Sequence, residues 1–337
     1  MDANLPAAKE ESRPPGWLHP ESPLHKGELA VQARLGVQEK MDKAARRGVR
    51  DYMPEQHREF FAQLPFIAAA AVDADRQPWA SLLVNPPGFI TSPDERSLHI
   101  DAGIAWHDPL QPLLTSGTSI GLLGIEFHTR RRNRLNGVVT QATGAALDIR
   151  VTQSFGNCPK YIQARETSYV RSLVTAEGQI RRTTRLDGVA CRLIAQADTF
   201  FIASAYFGLR DESAAPYGVD VSHRGGKPGF VQIDGDDTLT VPDFVGNFFF
   251  NTLGNLILHP AAGLLFVDFS NGEMLHVAVD AEIIWDGPEV DAFAGAQRLL
   301  RLHVKQALHV VHGLPLHWSA PELSPFVMRT GDWNVSA

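Results

Sequence analysis

From Phe66 onward the chain is built of short apolar runs separated by turn residues. FIAAAAVD, PWASLLV, SLHIDA, SIGLLGIEF and LNGVVTQATGAALDI are strand-length, alternating or wholly apolar, and parted by stretches such as Asp73–Gln77 and Asn85–Gly88. TFFIASAY, GFVQI, TLTVPDF, GLLFVDF and MLHVAVDAEIIW continue the pattern. Helical spacing is confined to a few places. LGVQEKMDKAARRG reads as a short surface helix, and Pro54 opens another with Phe60, Phe61 and Leu64 on one face. Ser154 to about Ser168 reads as a helix, as do Trp106–Gly117 and Gly246–Pro260. A last long helix is expected over about Pro288–Val311, with Ala292, Phe293, Ala296, Leu299, Leu300 and Val304 along one face.

The strand pattern repeats itself. GLLGIEF at Gly121–Phe127 returns as GLLFVDF at Gly263–Phe269, and PFIAAAA from Pro65 returns as TFFIASAY from Thr199. The turn at Gln77-Pro78-Trp79 matches one at Lys227-Pro228-Gly229, and Asp108-Pro109 matches His259-Pro260. The offset grows only from about 135 to about 142 residues, as one loop insertion would produce. The expected architecture is therefore mainly β with flanking helices: two tandem antiparallel split β-barrels forming an internal pseudo-dimer. Residues 1–50 read as an arm without a core of its own, 51–170 as the first barrel, 171–190 as a charged linker, and 191–325 as the second barrel with its C-terminal helix. Ligand sites favour the crevice between such halves.

A length of 337 residues, 44% hydrophobic and 20% charged, accommodates two domains. A net charge of -7 argues against nucleic acid or an anionic membrane surface as the main partner, while leaving room for a small phosphate in a local basic pocket. Cys158 and Cys191 are too few for a disulfide framework or a CxxC site, which fits a reducing cytoplasm. The start, MDANLPAAKEESRPP, has no apolar core of a signal peptide, and no run approaches a membrane span. The expectation is a cytoplasmic protein.

Candidate chemistry concentrates between Ser222 and Asn255. SHRGGKPGF sets Arg224 and Lys227 around a Gly-Gly turn, and Asn247, Asn251, Thr252 and Asn255 stand at or inside a helix start, where unpaired backbone N–H groups suit a phosphate. The plainer reading is a hairpin turn at Gly225-Gly226 and an N-cap at Asn247. His223 is a candidate proton donor. A second polar segment carries Gln153, Ser154, Asn157, Lys160 and Gln163, with Ser154 a candidate cap and Cys158 either a reactive thiol or a packing residue. Arg130–Arg134 is either a solvated hairpin end or a source of one or two guanidinium forks for an anion. His309 and His312 have metal-face spacing but no evident carboxylate, and read as core or surface histidines. No GxGxxG, GxxxxGK[ST] or GxSxG motif supports a Rossmann, P-loop or hydrolase site.

SPLHKGELAVQ, MPEQHREFFAQLPF, GLLGIEFHTRRRNRLNG, VTQSFGNCPKYIQAR, ADTFFIAS, VDVSHRGGKPGFV and GNFFFNTLGNLILHPAAGLLFVDF together resemble the pyridoxamine 5'-phosphate oxidase-like FMN-binding split-barrel family, in its two-barrel flavin-nucleotide-binding branch. The resemblance implies FMN bound where two barrels meet. Carried over, Asn251, Thr252 and Asn255 would hold the phosphate, Gln153-Ser154 would reach the flavin from the facing barrel, and the strand Gly229–Ile233, with Phe230, Val231 and Gln232, would run along the ring edge. The oxidase has basic residues in and at the end of that strand, where Val231 and Asp234 stand here, so pyridoxamine phosphate oxidation itself is not implied. The implied function is an FMN-dependent oxidoreductase acting on a small substrate or on oxygen. His223 and Arg224 would be its catalytic candidates, and Gln153, Ser154, Asn157, Arg224, Lys227, Phe230, Val231, Gln232, Asn247, Asn251, Thr252 and Asn255 its cofactor contacts. No metal is called for. The alternatives are a non-catalytic flavin carrier or sensor, or a haem-binding or haem-degrading split barrel. Candidate partners are a small-molecule substrate, a nicotinamide or separate reductase as electron donor, and a second copy of the chain.

Overall fold

A computed structural model describes residues 16–103, 108–173, 179–208, 218–235, 237–311 and 314–333. Three helices come first, α1 (Lys26–Arg34), α2 (Gln38–Gly48) and α3 (Glu55–Ala62). Then follow β1 (Phe66–Val72), β2 (Pro78–Val84), β3 (Ile90–Thr91), β4 (Ser97–Ile100), β5 (Ser119–Glu126), β6 (Arg131–Ala142) and β7 (Leu147–Gly156). Short strands β8 (Thr167–Tyr169) and β9 (Gln179–Thr183) and helix α4 (Gly188–Gln196) lead into β10 (Thr199–Tyr206), β11 (Gly218–Gly225), β12 (Gln232–Asp234) and β13 (Thr238–Phe244). Helix α5 (Asn251–Leu256), β14 (Ala261–Val267), β15 (Met274–Ile284), α6 (Pro288–Asp291), β16 (Ala296–Val311) and β17 (Leu316–Trp318) complete it.

The mainly β expectation holds, and both sheets have one strand order: β2-β1-β5-β6-β7-β4-β3 in the first, β11-β10-β14-β15-β16-β13-β12 in the second, every pairing antiparallel. Alternation explains how each sheet is used. Ile67, Ala69, Ile120, Leu122 and Leu135 enclose one core with Leu98 and Ile149 from the far edge; Phe200, Ile202, Leu264, Phe266 and Leu302 enclose another. The intervening residues, among them Phe66, Ala68, Leu123, Phe201, Ala203, Val221 and Leu265, form a third core between the sheets. Strands buried on both faces read as unbroken apolar runs, which is why PFIAAAA and TFFIASAY look alike.

The registers fix which residues correspond. Ala70 pairs with Ala80 and Gly121, and Ala203 pairs with Val221 and Gly263. The first glycine of each echo is where the sheets touch: a Cβ at Gly121 would meet the Val219 carbonyl oxygen at 2.3 Å, and one at Gly263 the Pro78 oxygen at 2.2 Å. The match of Gln77–Trp79 with Lys227–Gly229 is therefore corrected. Pro78 and Trp79 open β2, whose counterpart is β11, while Lys227–Gly229 lie in the turn beyond it.

Several expected helices are strands or turns. The C-terminal helix over Pro288–Val311 reduces to α6 and the long strand β16, which is hydrogen-bonded to β13 and β9 on one side and β15 on the other along its length. Gln153 and Ser154 end β7, and no helix follows them to Ser168. Residues 104–107, including Trp106, lie outside the described residues, and 109–113 form turns. The linker adds β9 to the second sheet. No helix among the described residues is long and apolar enough to cross a membrane.

Gly121→Ala and Gly263→Ala should each lower stability by about 2–3 kcal/mol or more in denaturant unfolding, because backbone rather than a movable side chain blocks the new methyl. Gly48→Ala, at the end of α2 with open space around it, should leave stability unchanged or raise it by up to about 1 kcal/mol. Wild-type stability in Gly121→Ala would refute the close approach.

Candidate functional site

Two polar clefts open where β6 of the first sheet faces β11 and α5 of the second. Period-2 alternation selects their residues. Arg132, Arg134 and Asn136 point to the facing sheet, whereas Arg131 lies over the Phe60 ring and Asn133 is buried on the other face. On β11, Asp220, Ser222 and Arg224 alternate likewise, so Arg224 is a strand residue and not part of a Gly-Gly turn.

The first cleft, about 100 Å³, is cationic. Arg132, Arg134 and Arg224 line it together with Asn157, Asn247 and Thr252. Arg134, 2% exposed, donates to Asp220 at 2.8 Å, to the Val221 carbonyl at 3.0 Å and to the Ser222 hydroxyl, to which Thr252 also donates at 3.1 Å. Arg224 donates to Asp243 at 2.5 Å, but Asp243 also takes Arg298 at 2.5 Å. Arg132 meets no carboxylate among the described residues; it donates to the carbonyls of Cys158 (2.7 Å) and His223 (3.3 Å). Burial, with Arg134 and Arg224 nearby, pulls its pKa down to about 10, so it remains charged at neutral pH. Arg134 Nε, Arg224 Nε, Asn157 Nδ2 and both ring nitrogens of His223 are buried without partners. Buried donors are ordinarily satisfied, and here an anion would satisfy several.

The second cleft, about 280 Å³, is lined by two carboxyl groups, Glu28 and Asp220, together with His25 and Arg150. Asp220 accepts from Arg134, from Asn136 Nδ2 (2.9 Å) and from Asn255 Nδ2 (2.8 Å). Glu28 accepts from the His25 backbone N–H at 2.8 Å and from Asn251 Nδ2. Helix α1 brings Glu28 there because Gly27 and Gly254 sit back to back: a Cβ on Gly27 would meet the Gly254 oxygen at 2.0 Å. His25 Nδ1 accepts from the Gly27 N–H, completing a capping box with Glu28 and leaving the ring proton on Nε2. Burial, reinforced by Asp220, pushes Glu28 up to about 8, and burial pulls His25 down to about 4. At neutral pH both are largely uncharged.

The structure brings Asn157, His223, Arg224, Asn247, Asn251 and Thr252 to the first cleft, and Gln153, Asn251 and Asn255 to the second. It disperses the others. Ser154 is fully buried against His57 (2.9 Å) and caps nothing. Lys227 reaches Thr330 and Asp332. Phe230 and Val231 belong to the second core, and Gln232, bonded to Asp234, lies on β12. The expected ring-edge strand is therefore not at either cleft. Asn247 is no N-cap, since Phe250 occupies that position in a left-handed conformation, φ 63°. Asn255 Nδ2 donates to Asp220 and to the Ser204 hydroxyl, which uses both of its N–H groups, and Asn251 Nδ2 donates to Glu28, which uses one of its two. His223 lines the cleft with its ring edge-on to Phe127 and Phe201, and burial beside three arginines holds it neutral. His309 pairs with Glu273, and His312 lies outside the described residues. Sequence reading passed over His25, Glu28, Asp220 and Asn136. The only available signal was the HxxE spacing of a capping box.

The corresponding positions on the other side carry different residues. Arg134 lies opposite Leu123 and His276 opposite Leu265, the same position in each echo. Arg134 bonds the Val221 carbonyl, and His276 Nδ1 donates to its counterpart, Ala80, at 2.9 Å. Trp79 stands where Asp220 does, and Ser81, bonded to Asp108, where Ser222 does; Ser81 and His276 are both fully buried.

No family model matches this chain, and no curated protein matches it. Among solved structures, HupZ of Group A Streptococcus is similar at 13% identity over 31% of this chain and 94% of that one, TM-score 0.25. A putative pyridoxamine 5'-phosphate oxidase of Lactobacillus delbrueckii gives 14%, 32% and 95%, TM-score 0.24. An FMN-binding protein of Syntrophomonas wolfei gives 14%, 35% and 80%, TM-score 0.25. Likeness this slight carries no argument about the site, which stands on its own residues.

Glu28 makes a stability prediction. Its folded pKa lies above its unfolded one, so the folded state holds the extra proton and stability falls as pH rises from about 4.5 to about 8. His25, His57, His223 and His276 are lowered and act oppositely, gaining stability as pH rises toward 6.5. The unfolded histidines still hold protons near pH 6.5, so the Glu28 contribution is read as a difference between two proteins: from pH 6.5 to 8 the melting temperature of the wild type should fall relative to that of Glu28→Gln, and equal slopes would disprove the assignment.

Proposed function

We propose that this chain is an FMN-dependent oxidoreductase whose flavin phosphate is held by the arginine cleft between the sheets. The observation that carries this reading is the set of three arginines around one small cleft, one of them meeting no carboxylate among the described residues, with buried N–H donors left unpaired beside them. A phosphate presents enough oxygens to accept from Arg132, Arg224 and Asn157 together, with the Thr252 hydroxyl beside them. FMN, when bound, supplies the hydride and electron chemistry.

The chain's own residues do the rest. Arg132 and Arg224 bind and orient the anion. Asp220 fixes Arg134, Asn136 and Asn255 in place, so the divide between the clefts does not shift when a ligand enters. Glu28 keeps a proton at neutral pH in the adjoining cleft, and His25 presents an Nε2–H there. The second cleft, with its protonated Glu28, suits a small polar substrate. The expected contacts at Lys227, Phe230, Val231 and Gln232 play no part in this reading.

FMN titrated into the purified protein, followed by quenching of flavin fluorescence, should show saturable binding. Arg132→Gln should weaken FMN by about 10–100-fold, the worth of one or two charge-assisted hydrogen bonds, while leaving riboflavin affinity unchanged. The absence of flavin binding would remove the reading, and equal losses for FMN and riboflavin would place the phosphate elsewhere. Turnover of NAD(P)H with oxygen by the FMN-loaded protein distinguishes an oxidoreductase from a carrier, which would bind without consuming either.

A further inference from the structure

We infer that a third cleft, at the end of β14, is a separate ligand site that takes a neutral planar heterocycle presenting a carbonyl next to an N–H, the lactam edge of a guanine base. It has a volume of about 380 Å³ and lies between the end of α4, the turn at Pro228, the Val267–Ser270 turn and the segment after β17. This inference does not depend on the flavin reading.

Three buried polar side chains line it. Arg165, Asp198 and Trp318 are only 5%, 4% and 6% exposed. Arg165 donates to Asp198 Oδ2 at 2.6 Å, and its guanidinium lies 4.2 Å from the Phe269 ring centroid, so the pair is held in place. What the pair leaves over is specific: Asp198 Oδ1 is an acceptor without a donor, and Arg165 Nε and Nη1 and Trp318 Nε1 are donors without acceptors. An unpaired buried group costs more than a made hydrogen bond gains, so a partner offering both polarities is favoured.

Charge narrows the class. Arg165 is balanced by Asp198, and Asp268 lines the same cleft, so a carboxylate or phosphate ligand meets no surplus cation. A neutral lactam meets the need without adding charge: its carbonyl accepts from Arg165 or Trp318, and its ring N–H donates to Asp198 Oδ1. Phe269 and Trp318, edge-on at 5.2 Å, together with Pro228 and Pro321, give the apolar walls that a flat ring requires. A lactam methylated on its ring nitrogen keeps the carbonyl but offers Asp198 Oδ1 no donor.

Calorimetric titration of the full chain with guanosine, inosine and 1-methylinosine tests this. Guanosine and inosine should bind, with 1-methylinosine at least about tenfold weaker than inosine. Trp318→Phe keeps the aromatic wall and removes one N–H; it should weaken guanosine by about five- to tenfold and abolish part of the tryptophan fluorescence quenching. Asp198→Asn, with folding checked by near-ultraviolet circular dichroism, should weaken it further. Equal affinity for inosine and 1-methylinosine, unchanged guanosine affinity in Trp318→Phe, or no guanosine binding would each overturn the proposal. Guanosine affinity should also be the same in protein saturated with FMN, and its loss there would overturn the separateness of the two sites.

Discussion

The contact on which the rest of this structure depends is the one between the two sheets, where Gly121 and Gly263 let backbone approach backbone. At 2.2–2.3 Å from a hypothetical Cβ to a carbonyl oxygen, no other residue fits. The contact places β5 against β11 and β14 against β2, and it buries the second face of the central strands in the shared core that includes Phe201, Leu123 and Leu265. Because those faces are apolar, polar side chains on the neighbouring strands β6 and β11 are pressed together at the margin of the core. Arg134 meets Asp220 there as a consequence of packing, in a low-dielectric setting where an ion pair holds its geometry only if further hydrogen bonds complete it.

One geometry has been filled in two ways. On one side Arg134, Asp220 and Ser222 stand between two clefts; on the other His276, Trp79 and Ser81 occupy the same positions, His276 and Ser81 fully buried. An indole replaces the Asp220 carboxylate and an imidazole the Arg134 guanidinium, so the two sides present different chemistry.

The N-terminal arm is part of that site. Its residues looked like polar surface because α1 has few apolar positions and its contact with α5 is made through Gly27 and Gly254, which carry no hydrophobic signal. The strand β16 was obscured for a related reason. Leu300 and Leu302 face the second core, but an extra residue at Lys305 shifts the register, so Ala307 faces that core and Leu308 and Val310 the inter-sheet one. The slip breaks period 2 and leaves apolar residues at spacings that imitate a helix.

The sequence by itself determined the mainly β class, the two-sheet plan written in the Gly121 and Gly263 echoes, and the polar segments from which the clefts are drawn. Those follow from local alternation and from turn residues, which act over a few positions. Only the tertiary structure decided that Arg132 and Arg134 face Asp220 and Thr252, that Asn251 and Asn255 are claimed by Glu28 and Asp220, and that Lys227, Phe230, Val231 and Gln232 lie away from them. These depend on register and on contacts between residues some 35 to 220 positions apart. A side chain's partners at that range are set by how two sheets and a helix pack, and nothing in the neighbouring residues encodes them.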